Sequence, residues 1–278
     1  MVVSVFLCDI DGVMGNFSKD VAPWDEDLTQ HAADLKRIRD YIESKSGQRF
    51  SACTGRSLES GKHVIELGGI NGPSIFEMGN VVYDPITGDS FNITDAPEFT
   101  RLRDASSELE KWKYKILDNE NGVFGSLLDE GAEIRFLKDR ARIFTYEITK
   151  GGITGHDLFE SLKPHLDGIG NYINRGKILV VASEKALDIQ PAVDKKGSIL
   201  YVAKRYGLNL DESVGIGDSA HSDIPMLEAV GYGACPSNSD QKIKDYVTRQ
   251  GGRGYVSEGS YTDGLLEIFE HANRTWRN

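Results

Sequence analysis

The sequence predicts an α/β protein: a Rossmann-like, doubly wound parallel sheet with an inserted α+β unit. Three observations carry that expectation. Short apolar runs that read as strands alternate with stretches of helical periodicity at both ends of the chain. In the middle the alternation gives way to hairpin-like turns and charged helices. Acidic or glycine-containing loops follow several strands, the place where an open parallel sheet carries its ligands.

Taken in order, Val2 to Cys8 is short, apolar and rich in β-branched residues, and it stops at Asp9. From Asp27, the residues Leu28, Ala32, Leu35, Ile38 and Ile42 recur at three- and four-residue spacing, an amphipathic helix that ends near Gly47. Arg49 to Cys53 is a second strand, closed by the polar turn Thr54-Gly55-Arg56. A helix through Val64 and Leu67 and a strand near Ile75 follow. After Val82 come the turn Asp84-Pro-Ile-Thr-Gly-Asp, a long charged helix from Glu98 to Leu117, and strands between Ile134 and Ile148 around Lys138-Asp-Arg. A helix near His156 to His165 and a hairpin from Tyr172 to Val181 complete the different style. Residues 83–187 are therefore expected as the inserted unit, and 1–82 with 188–278 as the core. The first style returns with a helix over Gly197 to Tyr206, a strand over Ser213 to Ile216 that opens onto Gly217-Asp218, a helix over Ile224 to Val230, a strand over Tyr232 to Cys235 and a last helix over Asp263 to Ala272.

Composition narrows the class. The 278 residues are 39% hydrophobic and 27% charged, which suits a folded globular chain with a sizeable core. A formal net charge of -11 disfavours nonspecific binding to nucleic acid or to an anionic membrane, so an anionic substrate needs local positive charge at its site. Cys8, Cys53 and Cys235 form no CxxC pair and read as small core residues in a reducing compartment. The apolar N-terminal stretch has no basic residues before it and runs into acids, so it reads as a strand, and no apolar run is long enough to span a bilayer. The cytoplasm is the expected location.

The strand-end loops bring four carboxylates toward one edge: Asp9 and Asp11 after the first strand, Asp218 and Asp223 after a later one. Thr54, Gly55 and Arg56 follow the second strand, and Lys196 precedes Gly197 at a helix start. Such an oxygen-rich cluster suits Mg²⁺, a hard cation that binds a few carboxylates together with substrate phosphate.

These motifs resemble, in order, those of the haloacid dehalogenase superfamily of phosphatases, in subclass IIB with the Cof-type sugar phosphatases: DIDG at Asp9 to Gly12, TGR at Thr54 to Arg56, KG at Lys196-Gly197 and GDSAHSDIPML from Gly217 to Leu227. The insertion between Thr54 and Lys196 matches that subclass, whose inserted cap selects the substrate. The resemblance implies an Mg²⁺-dependent phosphomonoesterase acting on a small phosphorylated metabolite, a sugar phosphate or related acid. It makes Asp9 the nucleophile and Asp11 the acid and base, with Thr54, Gly55 and Arg56 around the phosphoryl group and Lys196 neutralising charge. Asp9, the Asp11 carbonyl, Asp218 and Asp223 would hold the metal.

Two features depart from the pattern. Asp218 and Asp223 are five residues apart where relatives commonly have four, and Glu77-Met78-Gly79-Asn80 carries Met where many read Asn in E-N-G. Lys196 is preferred to Lys195 by its place before Gly197 and its spacing from Pro191. Gly217-Asp218-Ser219 also spells a serine-esterase motif, but it lies late in the chain and no Asp-x-x-His follows it. The alternatives carried forward are a phosphomutase of the same superfamily and a noncatalytic phosphoacceptor module.

Overall fold

The computed structural model describes residues 3–17 and 31–275; Val2 and the expected helix start at Asp27 and Leu28 lie outside them. In chain order, the first elements are β1 (Val5–Cys8), α1 (Ala32–Glu43), β2 (Arg49–Ala52), α2 (Leu58–Gly68), β3 (Ser74–Phe76), β4 (Val81–Tyr83) and β5 (Ser90–Asn92). Next come α3 (Thr100–Leu117), α4 (Glu120–Asp129), β6 (Glu133–Phe136), β7 (Phe144–Lys150), α5 (Gly155–Leu162), α6 (Gly170–Asn174), β8 (Ile178–Ala182) and β9 (Ala186–Pro191). The chain then runs through α7 (Lys195–Tyr206), β10 (Ser213–Ile216), α8 (Ala220–Leu227), β11 (Tyr232–Cys235), α9 (Gln241–Arg249), β12 (Gly254–Val256) and α10 (Tyr261–Thr275).

Two compact units divide the chain: Met1–Phe91 with Asp194–Asn278, and Asn92–Val193. The division falls at 92 and 193 and not at the expected 83 and 187; residue 83 ends β4, and residue 187 is the second of β9, which pairs with β7 and β8.

The first unit is built on a five-stranded sheet of order β12-β11-β10-β1-β2, with every adjacent pair parallel. β1 is central: Val5 pairs with Ser213 of β10 on one side and Arg49 of β2 on the other. All four of its residues are buried, and they alternate as a two-faced strand requires. Phe6 and Cys8 join a cluster with Leu35, Ile38 and Ile42 of α1, Val64 and Ile65 of α2, and Phe269 of α10. Phe6 stacks on Phe50 at 5.0 Å while Phe269 meets Phe6 edge-on at 4.7 Å, an arrangement that adds to the area these rings bury. Elsewhere α7 packs on α8, and α8 on α9. An isolated parallel bridge between Cys53 and Ile75 leads from β2 to a small sheet of β3, β4 and β5.

The second unit is a four-stranded sheet of order β6-β7-β9-β8, antiparallel throughout. Phe144, Tyr146, Leu187 and Ile189 cluster with Leu109 and Trp112 of α3, Phe124 of α4 and Leu158 of α5, so these helices share one face of the sheet. The alternate positions carry polar partners, among them Arg135 with Glu147 at 2.5 Å and Thr145 with Asp188 at 2.5 Å. The expected hairpin from Tyr172 is instead a short helix, α6, followed by β8; the turn lies at Ser183, whose amide and hydroxyl both bond the Ala186 carbonyl.

Candidate active site

The carboxyl ends of β1, β2 and β10 carry the site. The ladder continues one residue past β1, where the Asp9 amide donates to the Ile216 carbonyl at 2.9 Å and Cys53 donates to the Cys8 carbonyl at 2.8 Å. Asp9 is 7% exposed, and its Oδ1 accepts the Ile10 amide at 2.8 Å. Beside it stands Lys195, 2% exposed, with Nζ 3.6 Å from Asp9 Oδ2 and 2.6 Å from Asp223 Oδ1. Burial raises the Asp9 carboxyl to about 7; the Lys195 ammonium opposes the rise, and the carboxylates of Asp223, Asp11 and Asp218 add to it. Burial pulls the Lys195 ammonium the other way, but Asp223 and Asp9 outweigh it and hold the group charged.

Lys195 replaces Lys196 at the position expected for the site cation. Asp194 caps α7 by accepting the Gly197 amide at 2.7 Å, which makes Lys195 the first helical residue. Lys195, Ser198, Ile199, Val202 and Ala203 are the buried positions, spaced i, i+3, i+4, i+7 and i+8. The next residue points about 100° away, so Lys196 is exposed and pairs with Glu228 at 3.0 Å.

Asp223 is fully buried and holds other groups in place. Its Oδ2 accepts the amides of Asp218 and Ser219 at 3.0 and 3.1 Å, while its Oδ1 accepts Lys195 Nζ and the Ser222 hydroxyl. Each oxygen thus takes two donors, the capacity of its lone pairs. Two glycines let the acids come this close. A Cβ on Gly217 would lie 2.3 Å from Asp223 Cβ, and one on Gly12, at φ 76°, would lie 2.0 Å from Asp218 Oδ2. Carboxylate oxygens of Asp9, Asp218 and Asp223 lie within 4.8 Å of one another, a metal-sized cluster in which Asp223, its oxygens already taken by four donors, supports the other two.

The Asp11 side chain is not in that cluster. Arg56 Nε donates to Asp11 Oδ2 at 2.9 Å and Nη2 to Oδ1 at 2.6 Å, a bidentate pair. Thr54 is fully buried; its hydroxyl accepts the Arg56 amide at 3.3 Å, and the Met78 amide donates to its carbonyl at 3.1 Å. At Gly55 a Cβ would lie 3.0 Å from Met78 Sδ. Glu77, Met78 and Gly79 all have positive φ, at 50°, 54° and 113°.

Sequence reasoning weighed Lys195 but preferred Lys196, and it missed Asn238. Asn238 Nδ2 donates to the Gly12 carbonyl at 2.8 Å and its Oδ1 accepts the Tyr261 amide at 2.7 Å, tying the turn after β1 to a loop 226 residues away. No local pattern announces such a contact. The stripe of Ser198, Ile199 and Val202 does announce Lys195. The three cysteines are free and buried; burial raises Cys53 to about 12 and Cys235 to about 11, so they are packing groups and poor nucleophiles.

A family model described as haloacid dehalogenase-like hydrolase matches residues 147–253. A phosphoglycolate phosphatase of Methanopyrus kandleri is 26% identical over 87% of this chain and 87% of its own length. One from Methanosarcina acetivorans is 38% identical over 33% of this chain and 38% of its own. The structure of a sucrose-phosphatase from Synechocystis sp. PCC6803 superposes with a TM-score of 0.60 at 17% identity, covering 98% of both chains. The chain is thus similar to haloacid dehalogenase-like hydrolases over residues 147–253 and to a phosphoglycolate phosphatase along most of its length, and it shares its fold with the sucrose-phosphatase.

Proposed function

We propose that the chain hydrolyses a small phosphorylated metabolite, a sugar phosphate or related phospho-acid, through an aspartyl-phosphate on Asp9 with Mg²⁺ as cofactor. The observation that carries this reading is the buried Lys195 between Asp9 and Asp223 at the end of a central parallel strand. An ammonium there offsets the repulsion that otherwise keeps a phosphate dianion from a carboxylate.

In the first half-reaction an Asp9 oxygen bonds to phosphorus as the bond to the leaving oxygen breaks, and Asp11 gives that oxygen a proton. In the second, water gives a proton to Asp11 and attacks phosphorus, the bond to Asp9 breaks, and phosphate leaves. Asp9, Asp218 and the Asp11 carbonyl would hold the Mg²⁺, which supplies charge neutralisation for the phosphoryl group and Asp9. Asp223, its oxygens occupied, positions Asp218 and Lys195. Thr54 and Gly55 contribute to the phosphoryl pocket. The names of these two relatives make phosphoglycolate the first metabolite to test. A cytoplasmic location fits three free buried thiols, and among the described residues no helix is long and apolar enough to cross a membrane.

The test is a screen of phosphorylated metabolites with Mg²⁺, reading inorganic phosphate. Release by the wild type and none by Asp9→Asn is expected. Isomerised sugar phosphate without free phosphate would favour the phosphomutase. An Asp9→Asn protein as active as wild type would overturn the nucleophile.

A further inference from the structure

We propose that Arg56 is a positioning residue for the reaction, its guanidinium fork fixing the plane of the Asp11 carboxylate at the leaving-group side of the site. The inference rests on the reading of Asp11 as acid and base given above.

A single hydrogen bond leaves a carboxylate free to turn about its last torsion, whereas two parallel N–H donors fix both its oxygens. Asp11 has the second arrangement, at 2.9 and 2.6 Å, through one lone pair on each oxygen, which leaves the other for the proton it gives and takes. The pair is sheltered, with the Arg56 and Asp11 side chains 11% and 20% exposed, and the guanidinium carbon lies 5.1 Å from the centre of the buried Phe17 ring.

Both ends of the fork are rooted in fixed backbone. The Arg56 carbonyl accepts the Glu77 amide at 2.9 Å, and the Arg56 amide is held by Thr54. Glu77 and Met78 sit in left-handed conformations that non-glycine residues adopt only when their surroundings impose them. On the other side, the Gly12 amide closes a turn onto the Gly15 carbonyl at 3.0 Å, Asn238 holds the Gly12 carbonyl, and the Thr262 hydroxyl holds that of Met14 at 2.7 Å. Two loops from different strands are thus separately anchored and joined through one guanidinium.

The experiment measures kcat/KM for Arg56→Gln, Arg56→Lys and Asp11→Asn with two substrates: the alkyl phosphomonoester that wild type hydrolyses fastest in the screen above, and p-nitrophenyl phosphate. This constant reports the first chemical step, in which a poor alkyl leaving group needs a proton and p-nitrophenolate needs little. Arg56→Gln is expected to lower the alkyl constant by roughly 100-fold, the scale of a misplaced catalytic group, and the p-nitrophenyl constant by less than about tenfold. Arg56→Lys keeps the charge without the fork and is expected to recover only a small part. In the Asp11→Asn background, Arg56→Gln should cost less than about twofold more, because the group it orients is already gone.

Equal losses on both substrates, full rescue by Lys, or additive losses in the double variant would each overturn the proposal, and equal losses would mark Arg56 as a grip on the phosphoryl group. Circular dichroism and Tm establish that each variant folds, and Arg56→Lys keeps the test open if Arg56→Gln does not. If Asp11→Asn itself leaves the alkyl rate intact, the acid–base reading has failed, independently of Arg56.

Discussion

Two ion clusters stand in one site and are built differently. Lys195, Asp9 and Asp223 are all but sealed from solvent, at 2%, 7% and 0% exposure, whereas the Arg56–Asp11 fork keeps part of each side chain in water. A sealed cluster has no solvent to fall back on, so each member depends on the others for its charge. The partly wet fork is held by geometry and by the backbone beneath it. The buried cluster therefore couples catalysis to stability, and the fork couples it to orientation. Breaking the first should damage the fold as well as the rate, while breaking the second should damage the rate selectively.

The largest expected effect follows from Lys195→Met. Removing the ammonium leaves Asp9 and Asp223 uncompensated in a buried place, a change that costs about 3–5 kcal/mol when one partner of a buried pair is deleted. Thermal or urea unfolding measures that loss, and phosphate release should fall with it. Lys196→Met, one residue on, removes only a solvent-exposed pair with Glu228 and should leave both Tm and rate near wild type. Equal effects at the two lysines would contradict the buried cluster.

That contrast also measures how far the sequence could be read. The strand-end acids, the Thr54 loop and the interrupted sheet were legible because each is local: an apolar run, a spacing, a turn. Lys195 and Lys196 are harder to tell apart: the motif spacing favours Lys196, whereas the helical stripe of Ser198, Ile199 and Val202 sets which of two adjacent lysines faces inward. Asp223 was legible as a site acid but not as the hub of four donors, since the five-residue step from Asp218 acquires meaning only when Oδ2 closes back onto the amides of Asp218 and Ser219. The Arg56 fork and the Asn238 clasp join positions 45 and 226 residues apart, and no pattern in one chain encodes such pairings. In the second unit, α4 and the turn at Ser183 were missed because glycine-bearing and polar stretches obscure the periodicity.

A middle-sized effect separates Asp218 from Asp223. Mg²⁺ at 100 times its dissociation constant should stabilise the wild type by about 2.7 kcal/mol, and a chelator should remove the gain. Asp218→Ala should abolish most of that metal-dependent rise in Tm while leaving the metal-free protein close to wild type. Asp223→Ala should instead lower Tm without metal, since it releases Lys195 Nζ, the Ser222 hydroxyl and the amides of Asp218 and Ser219 together. Differential scanning calorimetry with and without Mg²⁺ distinguishes the two patterns. Loss of metal response in both variants, with equal metal-free Tm, would make Asp223 a direct ligand.

The smallest effect concerns the strain beneath the fork. Met78 holds φ 54° and ψ 24°, a left-handed conformation that costs an ordinary L-residue roughly 1–2 kcal/mol and that Asn tolerates through local hydrogen bonding. Met78→Asn should therefore stabilise the protein by about 0.5–1 kcal/mol, read as a small rise in Tm. Met78→Gly removes the same strain but gains chain entropy on unfolding, so its Tm should fall below that of the Asn variant. The site decides what the strain is for. The Met78 amide bonds the Thr54 carbonyl and the neighbouring Glu77 amide bonds that of Arg56, so this turn is the root of the arm that reaches Asp11. If the turn keeps its shape with Asn, the ratio of alkyl to p-nitrophenyl kcat/KM stays at the wild-type value while Tm rises. If that ratio falls with the rise, the strained Met78 is part of what holds the fork in register. A lower Tm for Asn would instead mean that the thioether over Gly55, 3.0 Å from where its Cβ would stand, contributes more than the backbone strain removes.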